Sequence, residues 1–105
     1  MKPNDRIILC LGSNLEDRHK NIKTAVSLLK KHKIKVTCSS SLYETEPVGF
    51  EDQNAFYNIS LCVNTLLSPE NLLGTVKRIE SLIGRRESVR NGPRLIDIDI
   101  LLYND

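Results

Sequence analysis

Long apolar runs are missing from this chain. No stretch reaches the roughly 18 to 20 residues that a membrane-crossing helix needs, and no charged-then-apolar leader with a small-residue cleavage site opens it. The expectation is a cytoplasmic protein with no membrane partner. Cysteine is sparse too: Cys10, Cys38 and Cys62 show no metal-type spacing, and each falls in a strand-like apolar run. They are expected to be reduced, partly buried thiols. A dominant charge sign is also lacking, since a net charge of +2 makes no general case for nucleic acid. Aromatic residues amount to 5%, with Phe56 nearly alone on the central strands, where an RNA-binding sheet would carry several. Internal repeats and low-complexity tracts are absent.

What is present suffices for one domain spanning residues 1–105, because 105 residues of which 40% are hydrophobic can close a single modest core. Arg6 to Leu11 is a short apolar run ending at Gly12-Ser13-Asn14, which suits a buried strand followed by a turn and helix entry. Ile22, Ala25, Val26 and Leu29 recur at helical steps among lysines, predicting an amphipathic helix from Asp17 to about Lys33. Ile34, Val36, Cys38 and Leu42 alternate with polar partners and predict a half-buried second strand ending near Thr45. Glu46 to Ala55, with Pro47, Gly49 and Asp52, reads as a long loop. In Phe56 to Leu66, the set Tyr57, Ile59, Leu61 and Val63 is expected to face the core.

Ser68-Pro69-Glu70 is a helix start: serine caps free amides, proline fits the first turn, and glutamate favours the positive end of the dipole. Leu72, Val76, Ile79 and Ile83 mark its buried stripe, and Gly84 stands where a left-handed cap is wanted. An arginine-rich loop follows from Arg85 to Arg94. The last strand, Leu95 to Tyr103, is expected to set Ile96, Ile98, Ile100 and Leu102 against Asp97, Asp99, Leu101 and Tyr103. The predicted class is α+β, a ferredoxin-like βαββαβ arrangement in which a four-stranded antiparallel sheet carries both helices on one face.

Asp97 and Asp99, two apart on a strand, put their carboxylates on the same side with about 7 Å between Cα atoms. Such neighbours repel unless a hard cation lies between them, and magnesium takes one or two protein carboxylates and completes its shell with water and phosphates. Taken alone, the pattern also describes a solvated strand edge. The adjoining loop brings Arg85, Arg86, Arg90 and Arg94, planar donors matched to phosphate oxygens. A basic loop by itself is equally a solvated segment or a nucleic-acid contact, but with the acids beside it the pairing points to metal and polyphosphate. Phosphoryl transfer needs little covalent help from a protein, so no nucleophilic residue is required.

The segment Arg90-Asn91-Gly92-Pro93-Arg94-Leu95-Ile96-Asp97-Ile98-Asp99-Ile100-Leu101 resembles the signature of the 6-hydroxymethyl-7,8-dihydropterin pyrophosphokinase family. Gly12 to Leu15, Tyr43 to Gly49, and Phe56-Tyr57-Asn58 agree in order and spacing, so the resemblance covers nearly the whole chain. It implies transfer of pyrophosphate from ATP to the hydroxymethyl oxygen of the reduced pterin in folate biosynthesis, releasing AMP, with two magnesium ions. It also implies Asp97 and Asp99 as magnesium ligands, Arg85 and Arg94 on the phosphates, Arg90 in a catalytic loop, and Glu80 in the nucleotide site. By the same resemblance, Asn58, Phe56 and the backbone near Thr45 and Val48 hold the pterin. An amide can donate to and accept from its edge, and an aromatic ring can stack on its face.

Departures from the family pattern are Glu87 for an arginine, Asn91 for a tryptophan and Glu46 for a proline, which implies a differently shaped loop closure. The family continues beyond the position of Asp105 with a Pro-His segment, a further arginine and a second aromatic. The chain as given is therefore expected to be C-terminally short, to bind magnesium-ATP weakly and pterin poorly, and to expose Leu101 and Cys62 on a face open to self-association. Two other readings stay open: a ferredoxin-like module that binds nucleotide or nucleic acid without catalysis, and a shortened, inactive relative.

Overall fold

The computed structural model describes residues 4–46, 55–84 and 95–104. Along the chain these form β1 (Asn4–Ser13), α1 (Arg18–Lys31), β2 (Lys35–Ser39), β3 (Tyr43–Thr45), β4 (Phe56–Thr65), α2 (Pro69–Ile83) and β5 (Asp97–Tyr103). The strands build one antiparallel sheet ordered β2-β4-β1-β5, with β3 also pairing to β4. The loop expected over 46–55 and the arginine loop over 85–94 lie almost wholly outside the described residues.

Both helices pack on one face of the sheet. Ile7, Leu9 and Leu11 of β1, Leu61 and Val63 of β4, and Ile98 of β5 meet Ile22, Ala25 and Leu29 of α1 and Leu72, Val76 and Ile79 of α2 in a single core. Tyr57 and Ile59 pack against its margin, as their alternation predicts. Burying a side chain of this size contributes about 1.5–3 kcal/mol each, which explains why alternation and helical periodicity decide the layers. No described helix covers the opposite face, where Asp99 and Leu101 are exposed.

The helix ends form where their side chains dictate. Ser68 accepts the Asn71 amide at 3.2 Å, Pro69 opens α2, and Gly84 closes it with φ 101°, a conformation that a Cβ would strain. Asp17 caps α1 by accepting from the Lys20 amide at 3.1 Å. The chain then turns through Lys33 at φ 66° rather than continuing as helix.

Three expectations need correction. The sheet has five strands: the predicted second strand is divided at Ser40–Leu42, where the Ser40 amide bonds the Ser60 carbonyl at 2.8 Å and its hydroxyl takes the Ser60 amide at 2.9 Å. Cys38 is exposed rather than partly buried, while Cys10 and Cys62 are half-buried, and all three thiols are free. The last turn of alternation in β5 is also shifted. A register irregularity between Ile8 and Leu9 aligns Ile7 with Tyr103 and Ile8 with Leu102. Tyr103 therefore packs against the core and donates its hydroxyl to the Leu67 carbonyl, instead of sharing a face with the aspartates.

Candidate active site

The open face carries the candidate site, and β1 is its axis. Gly12 stands opposite Asn58 on one side and opposite Asp97 on the other, while Cys10 stands opposite Ser60 and Asp99. Strands lie about 4.8 Å apart, so Asn58 and Asp97 flank Gly12 with roughly 10 Å between them. The two residue groups read separately from the sequence, the pterin-type contacts and the acid pair, are thus brought together across one strand.

Between them is a gap that only glycine leaves. A Cβ at Gly12 would come within 3.0 Å of Asn58 Oδ1 and 3.4 Å of the Phe56 ring. The amide oxygen of Asn58 and the edge of Phe56 therefore both overhang this backbone, as glycine in a strand permits where something must approach closely. The amide nitrogen is committed elsewhere, donating to Thr45 Oγ1 at 2.8 Å and to the Phe56 carbonyl at 3.4 Å. These bonds fix the side chain and link Thr45, Phe56 and Asn58 into one unit at the β3–β4 pairing.

On the other side, Asp97 is half-buried and Asp99 exposed. Their strand is tied down from behind by Glu80, whose side chain is fully buried. Its Oε2 accepts the Ile98 amide at 2.7 Å, and its Oε1 lies 3.4 Å from Lys77 Nζ. Ile98 is the residue between the aspartates on β5, an edge strand among the described residues, so Glu80 satisfies an amide that no described strand reaches. Among the described residues no three His, Cys, Asp or Glu side chains cluster as a metal cage. Two accessible carboxylates with the rest of the shell left to phosphate and water are the donor set of magnesium rather than of zinc.

Arg85, Arg90, Arg94 and Val48 lie outside the described residues, as do Glu87 and Asn91. Of the other expected site residues, Thr45, Phe56 and Asn58 form one group, and Asp97 and Asp99 the other. Glu80 stands beneath β5 rather than on the open face.

Two contributors were missed in the sequence. Gly12 was read as part of a turn, yet it is a strand residue and leaves the central space of the face, and its position directly after the apolar run offered no signal that the strand continues through it. The strand runs on through buried Ser13 and the chain leaves it at buried Asn14, with Asn21 Nδ2 donating to Ser13 Oγ at 3.2 Å and to the Leu15 carbonyl at 3.0 Å. Arg18 is the second. Its guanidinium lies 3.7 Å from the centre of the Tyr57 ring and donates to the Ala55 carbonyl at 2.8 Å and to Glu44 at 3.0 Å. It thereby anchors the entry to β4 against β3, and nothing in its sequence context marks it out. A separate apolar cleft of about 360 Å³, lined by His19, Ile22, Val26, Leu42 and Ile59, contains neither aspartate nor Asn58.

Comparison with known proteins places the chain in a family. Residues 8–104 match the model of the family 7,8-dihydro-6-hydroxymethylpterin-pyrophosphokinase (HPPK). The chain is 46% identical over 102 residues to a Bacillus subtilis protein named 2-amino-4-hydroxy-6-hydroxymethyldihydropteridine pyrophosphokinase, covering 96% of this chain and 61% of that one. It is 44% identical over 99 residues to the mitochondrial folate synthesis bifunctional protein of Pisum sativum, covering 94% of this chain and 19% of the relative. Among solved structures, an HPPK-DHPS in complex with substrates superposes with a TM-score of 0.74 at 21% identity, over 97% of this chain and 28% of that one. The wild-type HPPK-DHPS of Plasmodium falciparum gives a TM-score of 0.71 at 20% identity, over 98% of this chain and 30% of that one. These two likenesses carry the fold alone. With the match spanning nearly its entire length, the chain belongs to the 7,8-dihydro-6-hydroxymethylpterin-pyrophosphokinase family.

Proposed function

We propose that this chain supplies the catalytic sheet of an ATP-dependent diphosphokinase, which transfers the β,γ-pyrophosphoryl unit of ATP to 6-hydroxymethyl-7,8-dihydropterin. The observation that carries the reading is the register at Gly12, which places Asn58 and Asp97 on either side of one side-chain-free position. A flat bicyclic ring laid over that position can reach the Asn58 oxygen and the Phe56 ring while directing a substituent toward β5. The pterin oxygen then forms a bond to the β-phosphorus, the bond from that phosphorus to the α-phosphate oxygen breaks, and AMP leaves with the pterin hydroxyl proton passing to solvent.

Within this reading Asp97 and Asp99 hold magnesium, two ions with the nucleotide. Magnesium bound there would neutralise charge on the phosphates and orient them. The chain's own groups do the positioning. Asn58, fixed by Thr45, selects the pterin edge, and Phe56 offers an aromatic surface to its ring. Glu80 serves the nucleotide site by holding the β5 backbone between the two aspartates. Arg85 and Arg94 bind phosphate oxygens, and Arg90 acts on turnover, each through planar charge-assisted hydrogen bonds. Backbone near Val48 completes the pterin contacts.

Product analysis tests the proposal: ATP, magnesium and 6-hydroxymethyl-7,8-dihydropterin incubated with the protein should yield AMP and the pterin diphosphate in equal amounts. Formation of ADP, or AMP release independent of pterin, would assign the face to a different reaction.

A further inference from the structure

A second chemical feature of the open face takes no part in the reaction above. Val36 and Val63 are paired across β2 and β4, yet the next aligned pair is Cys38 and Cys62, two residues on from Val36 but only one from Val63. Thr37 is therefore a bulge residue, and its hydroxyl donates to the Cys62 carbonyl at 3.2 Å, which holds the bulge in place. The extra residue matters because successive strand side chains alternate faces. It sets Cys38 directly opposite Cys62, where a regular strand would have placed Thr37.

Directly opposed residues of an antiparallel pair have Cβ atoms about 4.5–5.5 Å apart. That meets the upper end of the 3.5–4.5 Å range, roughly, that a disulfide spans. The hydrogen-bonding influence of the adjacent Cys38 side chain, followed by burial and the neighbouring Cys38 charge, pushes the Cys62 thiol above its ordinary range. Cys38 is exposed and Cys62 half-buried, so an oxidant meets Cys38 first. Cys10 is engaged differently, since it stands opposite Ser60 on β1 with its sulfur 4.0 Å from the Tyr43 hydroxyl.

We infer that Cys38 and Cys62 form a cross-strand dithiol that closes to a disulfide in the presence of a small-molecule disulfide oxidant, tying edge strand β2 to β4. The step balances with glutathione disulfide as the oxidant. The Cys38 thiolate attacks one of its sulfurs, breaking that S–S bond and releasing one glutathione thiol. Cys62 then attacks the Cys38 sulfur of the mixed disulfide, forming the protein S–S bond and releasing the second glutathione thiol. Two electrons pass from protein to glutathione and two thiol protons are carried away.

The experiment treats the protein with glutathione disulfide, then measures free thiols, intact mass and a non-reducing peptide map. Titratable thiols should fall from three to one, the mass should drop by two hydrogens, and the map should show Cys38 joined to Cys62, all reversed by dithiothreitol. Cys10→Ser should close equally well, whereas Cys38→Ser and Cys62→Ser should not close. The inference is overturned if the unsubstituted protein keeps three free thiols, stops at glutathione adducts, or links through Cys10. Because the decisive map uses the unsubstituted chain, a variant that folds poorly does not protect the proposal.

Discussion

Replacing Glu80 with Ala probes the join between the core and the acidic strand. The carboxylate accepts the Ile98 amide at 2.7 Å in a fully buried position. A hydrogen bond to a charged group contributes about 1.5–3 kcal/mol, and an amide left without a partner away from water costs about 1–3 kcal/mol; the two overlap and do not simply add. The contact with Lys77 adds little, roughly 0.3 kcal/mol, because the lysine side chain is 49% exposed. A loss near 3 kcal/mol is expected, equivalent to about 12–24 °C in Tm for a domain of this size. Glu80→Gln keeps an acceptor of the same shape and should lose only about 1 kcal/mol. Differential scanning fluorimetry and urea unfolding of the three proteins give the comparison. An Ala variant melting within about 2 °C of the parent would refute the claim that this carboxylate holds β5.

Gly12→Ala should leave stability nearly unchanged, because Gly12 has no positive φ and the nearest atom is the end of a side chain; pterin affinity should nevertheless fall about tenfold, roughly 1.4 kcal/mol, as Asn58 is displaced from the gap. Titration calorimetry with the pterin reads this, and an unchanged Kd would mean that the space above Gly12 is not used. Arg18→Ala removes a guanidinium stacked on Tyr57 and bonded to the Ala55 carbonyl, so a loss of about 1–2 kcal/mol is expected in urea unfolding, and none would deny it an anchoring role. Steady-state kinetics on the arginine variants should split, Arg94→Ala raising KM for ATP and Arg90→Ala lowering kcat; a normal kcat in the latter would contradict its assigned role.

The layers were readable because burial repeats: Leu9 and Leu11, Leu61 and Val63, and Leu72, Val76 and Ile79 announce their faces by spacing alone. The caps at Ser68 and Gly84 were equally plain, since the serine hydroxyl and the glycine backbone each act within a few residues of themselves. The division of the second strand was not, because it depends on Ser40 bonding Ser60 across the sheet. Bulges defeated alternation in the same way: Thr37 and the β1–β5 irregularity change facing by one residue, and local sequence carries no count of its partner strand. For the site, the acid pair was legible as chemistry, whereas the role of Gly12 emerges only when Asn58 and Asp97 arrive from distant segments. Glu80 reads as an ordinary helical acid until α2 is laid against the edge of β5.

Magnesium-dependent ATP binding in the Asp97→Ala and Asp99→Ala variants bears most directly on the assignment of the open face. Removing either carboxylate relieves repulsion between neighbouring acids, so unfolding free energy should hold or rise slightly. Calorimetric titration with ATP in the presence of magnesium should show binding in the parent and a loss of at least about tenfold, roughly 1.4 kcal/mol, in each variant. Without magnesium, parent and variants should bind ATP equally weakly. If both folded variants bound magnesium-ATP as tightly as the parent, Asp97 and Asp99 would not be the metal ligands and the proposed site would be misplaced.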